Sequence, residues 1–100
     1  MQIFEAKPEN KLDIPVQANK VFQNEKIAVV QLQLKPQDEI GEHKNNEDAL
    51  FHCIAGNPTA IVNGEEVKVQ KGQFIFIKNT DTRAWKNETE ETAVILAIKH

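Results

Sequence analysis

Apolar and polar residues alternate along residues 27–34, where Val30, Leu32 and Leu34 share one face and Gln31 and Gln33 the other. A period of two marks a β-strand with one buried face. Residues 2–6 also alternate and are expected to form a short strand stopped by Pro8. Residues 9–17 carry Asn10, Asp13 and Pro15 and are expected to be an irregular lead-in. Val21 and Phe22 then make a short edge strand. Turn residues punctuate the remainder: Lys35-Pro36-Gln37-Asp38, Gly56-Asn57-Pro58, Asn63-Gly64, Lys71-Gly72 and Asn79-Thr80-Asp81. Between them lie strand-like segments at residues 50–55, 59–62, 66–69, 74–77, 83–86 and 92–99. Asn63-Gly64 is the strongest hairpin signal, because both residues tolerate the positive φ of a two-residue turn. No segment holds a helical period over three turns. Many short strands with closely spaced turns predict an all-β sandwich or barrel.

Two strands break the alternation. Residues 74–77 (Phe-Ile-Phe-Ile) and 93–98 (Ala-Val-Ile-Leu-Ala-Ile) are apolar on both faces. A half-buried antiparallel strand has one polar face, so a second layer is expected outside the sheet. Either the N-terminal segment supplies it, or a second copy does, in a homodimer packed sheet to sheet.

Composition narrows the classes. One hundred residues make one domain, expected to span residues 1–100 with a barrel core at about 27–98. A net charge of -3, with Lys and Arg scattered, gives no reason to expect nucleic acid or an anionic membrane as partner. Apolar runs fall far short of the ~20 residues of a membrane span. Cys53 is the single cysteine, so no intrachain disulfide and no thiol cluster for zinc can form. The first eight residues lack the apolar core of a secretory signal. A cytoplasmic location is the expectation.

Residues 42–56 concentrate the chemistry. A polar cluster containing His43, Asn45, Glu47 and Asp48 leads into an apolar, strand-like run ending at Gly56. This spacing resembles the cupin family of small double-stranded β-helix barrels, jelly rolls of two antiparallel sheets. The family's first motif is Gly, five residues, His-x-His, three or four residues, Glu, six residues, Gly. Counted back from Gly56, its glutamate falls at Ala49 and its histidines at His43 and Asn45. The second motif is Gly, five residues, Pro-x-Gly, two residues, His, three residues, Asn. Counted from Gly72, it falls on Lys78, Thr80, Arg83 and Asn87, so only Gly72 and Asn87 match. Residues 57–71 hold the Asn63-Gly64 hairpin between the motifs, as in compact single-domain cupins.

The resemblance implies the fold and withholds the metal. The four positions that ligate metal in the family are His43, Asn45, Ala49 and Arg83 here, and arginine repels a cation. No metal or other cofactor is expected. A divalent ion at His43 needs Glu47 or Asp48 as a displaced carboxylate. Strand parity instead puts His43 and Asn45 on one inward face, Arg83 and Trp85 on another, and Ala49, Phe51 and Cys53 along the floor. An imidazole, an amide, a guanidinium and an indole in an apolar barrel suit a small ligand. A guanidinium matches carboxylate or phosphate, and an indole stacks on a ring or sugar. Each has a structural alternative. His43 is otherwise a loop histidine facing water, Arg83 a surface residue or one paired with Glu47, Asp48 or Asp81, Trp85 core, and Cys53 a small buried hydrophobe. His52 points outward, away from Cys53.

Three functions follow. One is a metal-free cupin binding a small anionic or sugar-like ligand through His43, Asn45, Arg83, Trp85 and Cys53, with enzymatic activity not expected. A second is a cupin enzyme of isomerase, epimerase or oxygenase type using His43, with or without metal. The third is a structural, dimeric β-barrel module.

Overall fold

Cross-strand pairing decides which of these segments become strands. The computed structural model describes residues 1–100. Nine strands form: β1 (Gln17–Gln23), β2 (Ala28–Leu34), β3 (Glu39–His43), β4 (Ala49–Ala55), β5 (Thr59–Val62), β6 (Glu65–Lys68), β7 (Phe74–Ile77), β8 (Arg83–Lys86) and β9 (Ala93–Lys99). They build a five-stranded sheet, β1-β2-β9-β4-β7, and a four-stranded sheet, β3-β8-β5-β6. Every pairing is antiparallel. The all-β double-sheet barrel expected from the sequence is the observed architecture.

The β5–β6 hairpin turns on Asn63 and Gly64, with φ of 51° and 81°, as their residue types require. Two sequence expectations are corrected. Residues 2–6 form no strand, since they pair with no neighbouring strand. Phe4 instead packs edge-on against Phe22, ring centroids 4.8 Å apart. The first strand is longer than the Val21-Phe22 pair and starts at Gln17, inside the expected lead-in. Its polar sequence hides it. Pairing with β2 holds it, with a register shift between Lys20 and Phe22.

Rungs across the five-stranded sheet show what is inside. One inward rung is Cys53, Ile95, Leu32 and Ala18, and the next is Ile75, Phe51, Ala97 and Val30. A third joins Ile77, Ala49, Lys99 and Ala28. The first rung is buried and belongs to one core cluster with Leu34, Ala60, Val69 and Ala93. Within the cluster, Cys53, Ile95, Leu34, Ala60, Val69 and Ala93 form a solid plug, while Val30, Leu32, Phe51, Ala97 and Trp85 wall the open end.

The outer face of the same sheet carries Phe76, Leu50, Ile98 and Val29 on one rung and Phe74, His52 and Leu96 on another. The N-terminal segment reaches only the β1 side of this face. Phe4 covers Phe22, and Asn19 donates its amide to the Lys7 carbonyl at 2.6 Å. Phe74 and Phe76 stay 58% and 57% exposed on β7.

Candidate functional site

The open end encloses a cavity of about 340 Å³. Val30, Leu32, Phe51 and Ala97 wall it from the five-stranded sheet, and Ile40, Arg83 and Trp85 from the other. Phe51 and Trp85 meet across the barrel with ring centroids 5.3 Å apart. Leu12, Ile14 and Pro15 close one side. The main chain holds this strap: Leu12 donates its N–H to the Ala18 carbonyl, and Lys11 bridges to Asn19.

His43, Asn45, Arg83 and Trp85 all line this one cavity. Arg83 and Trp85 do so by alternation on β8, as the parity argument requires. His43 is placed by its pairing with Arg83 at the end of β3, after an irregularity in register beyond Ile40. Asn45 lies past the strand end, so a turn brings it in rather than alternation. Its Oδ1 accepts the Glu47 N–H at 3.3 Å. His43 is exposed at the rim, with Nδ1 2.9 Å from the Gly41 carbonyl. A carbonyl only accepts, so Nδ1 is the donor in this contact.

Cys53 corrects the expectation of a floor residue. It sits one rung below Phe51, fully buried in the plug, and does not line the cavity. Its thiol points to the Ala55 and Gly56 carbonyls at 3.3 and 3.5 Å. Burial pushes the thiol pKa up, against a smaller lowering by the Ala55 contact. Ala49 is likewise buried without reaching the cavity.

Arg83 is neither at the surface nor ion-paired. It is 1% exposed, and the ion pairs of the chain join Lys86 to Glu66 and Glu88. Its Nη2 donates to the Lys78 carbonyl at 2.7 Å. Nε and Nη1 are buried with no acceptor, as is Trp85 Nε1. Burial draws the guanidinium pKa down, and Asp81 and then Asp48 oppose this through their charge. Arginine nonetheless stays protonated in proteins.

Lys99 and the Leu12–Pro15 strap also line the cavity and were missed from the sequence. Parity held the signal for Lys99, since Ala93, Ile95 and Ala97 point inward and Lys99 is the next such position. The Leu-x-Ile spacing at 12 and 14 was the signal for the strap.

The residues do not fit a cupin metal. At the four ligand positions only His43 is a strong donor, and no three His, Cys, Asp or Glu side chains gather anywhere. Asp48, the candidate displaced carboxylate, accepts the Asn79 N–H at 2.9 Å, and neither it nor Glu47 lines the cavity. The motif positions that shape the backbone survive. Gly56 and Gly72 have φ of 79° and 91°. Asn87, fully buried, donates to the Leu34 and Glu91 carbonyls at 2.8 and 2.7 Å and accepts from Thr89.

Comparison with known proteins agrees with this geometry. The family model for the cupin domain matches residues 30–99. The chain belongs to the cupin family. Among solved cupin-like structures, a Cupin 2 conserved barrel domain protein from Salinispora arenicola superposes with a TM-score of 0.85 at 17% identity, covering 99% of this chain and 87% of that one. A predicted oxalate decarboxylase from Thermotoga maritima gives 0.78 at 20% identity, covering 84% and 78%. KdgF from Halomonas sp. gives 0.75 at 11% identity, covering 98% and 86%. These identities carry the cupin fold and no activity. No curated protein sequence matches this cupin. No helix in it is long and apolar enough to cross a membrane.

Proposed function

We propose that this cupin is a metal-free binding protein that holds a small anionic or sugar-like molecule inside its barrel. The observation that carries the reading is the convergence of His43, Asn45, Arg83 and Trp85 on one largely apolar cavity. Such a composition, with a few polar groups in an apolar wall, is typical of small-molecule sites. Thermal unfolding with a panel of organic acids and sugars tests it. A ligand at 100 times its Kd adds about 2.7 kcal/mol to stability. If none of the panel moves the midpoint of the wild type, the binding reading falls.

One observation favours an enzyme instead. The His43 ring is oriented through Nδ1 by the Gly41 carbonyl at the cavity rim, the kind of placement a proton-transfer residue needs. Of the other side chains lining the cavity, only Lys99 is an ordinary acid/base candidate. In either case the exposed outer face around Phe74 and Phe76 supports pairing of two copies, because contiguous apolar surface of this kind marks an interface.

A further inference from the structure

The wall of the cavity separates anions from sugars, and among anions it selects by body. Fifteen acidic residues outnumber twelve basic ones in the chain, yet no aspartate or glutamate lines the cavity. Two cations do, Arg83 from one sheet and Lys99 from the other. The hydrogen-bonding capacity left over is also one-sided. Nε and Nη1 of Arg83 and Nε1 of Trp85 are buried donors without acceptors, so an incoming acceptor reaches them only as the side chains lining the cavity shift. Among the lining side chains, the acceptors are the rim His43 and Asn45 Oδ1, which already accepts from Glu47. A sugar hydroxyl both donates and accepts, and this wall returns too few acceptors. A carboxylate only accepts and fits donor-only surroundings. A small, strongly hydrated anion such as phosphate leaves the rest of the wall, Val30, Leu32 and Phe51 included, without an apolar partner. The volume of about 340 Å³ lies at the small end of the ~300–1,000 Å³ range of ligand cavities.

We propose that the cavity takes a small organic carboxylate with an apolar body, its carboxylate at Arg83 and Trp85 and its hydrocarbon part against Val30, Leu32 and Phe51. This deepens the binding reading above and rests on it. Trp85 is the only tryptophan, so its fluorescence reports on this cavity alone.

The test titrates the protein with benzoate, with benzamide as its uncharged isostere, and with inorganic phosphate and glucose. Benzoate is expected to change Trp85 fluorescence saturably, with benzamide weaker by about tenfold or more, the worth of a charge-assisted hydrogen bond. Arg83→Met is expected to abolish the preference for benzoate over benzamide. Lys99→Met, at the mouth, is a second variant expected to weaken benzoate and spare benzamide. Equal binding of benzamide and benzoate by the wild type overturns the proposal. A response to phosphate or glucose without one to benzoate overturns it too, while the broader binding reading survives. Silence of Trp85 toward all four overturns both.

Discussion

Arg83 and Trp85 stand two residues apart on β8, and between them they hold all three buried side-chain nitrogens that lack an acceptor. Buried donors without partners carry a desolvation cost of about 1–3 kcal/mol each, more where charge is involved. Natural folds rarely keep three together, and both residues stand in the wall of the cavity.

Replacing the guanidinium by an apolar chain of similar length tests that cost. Arg83→Met loses only the bond to the Lys78 carbonyl, which is carried by an exposed residue that water can reach. Urea denaturation of the free protein is expected to show unchanged stability or a gain of about 1–2 kcal/mol. A loss above 2 kcal/mol contradicts the account and makes Arg83 a structural residue.

Two left-handed positions respond in opposite ways. Gly56 has φ of 79°, and a Cβ there would meet the Ala93 Cα at 2.8 Å and the Thr92 carbonyl oxygen at 2.9 Å. Gly56→Ala is expected to cost about 2–4 kcal/mol from the backbone and the clash together. Gln37, six residues before His43 where the first cupin motif has glycine, has φ of 73°. Gln37→Gly removes a Cβ from that conformation and is expected to stabilise by up to about 1 kcal/mol, reduced by the entropy of glycine in the unfolded chain. Chemical denaturation measures both.

Cys53 sets a pH dependence. Its folded pKa is raised above the ordinary 9.0 by burial. The unfolded thiol therefore ionises first, so this contribution is intact below about pH 9 and is lost as pH rises through the folded value. The stability of the wild type relative to Cys53→Ala is expected to shrink as pH rises above 9. A constant difference there contradicts the burial of this thiol.

The outer face predicts association. Phe74 stacks on His52 with centroids 4.0 Å apart, and Phe76 pairs with Leu50, but water covers the far sides of both rings. Sedimentation is expected to give a dimer for the wild type and a monomer for Phe76→Lys, with little change in unfolding midpoint measured at low concentration. A wild-type monomer at high concentration removes this interface.

Much of the fold was legible in residues 27–99, because alternation, Asn63-Gly64 and the motif glycines are local signals. β1 was not, since Gln-Ala-Asn-Lys carries little apolar pattern and only β2 makes it a strand. In the site, parity placed Arg83 and Trp85 correctly. It misplaced Cys53, because alternation gives the face of a strand and not the depth along the barrel. Nothing local shows that the cavity reaches Phe51 and Leu32 but stops short of Cys53 and Ile95. The burial of Arg83 was equally hidden, for the strands that flank it, at His43 and Val62, are distant in the sequence.

The most direct measurement of the central claim is the indole and guanidinium N–H signals in nitrogen–proton correlation spectra. With one tryptophan, a single indole signal belongs to Trp85. Addition of benzoate is expected to move this signal and the Arg83 Nε–H signal together, downfield and saturably, as both donors gain an acceptor. If both signals stay fixed while benzoate is raised to saturating concentrations, Arg83 and Trp85 hold no carboxylate and the account is wrong.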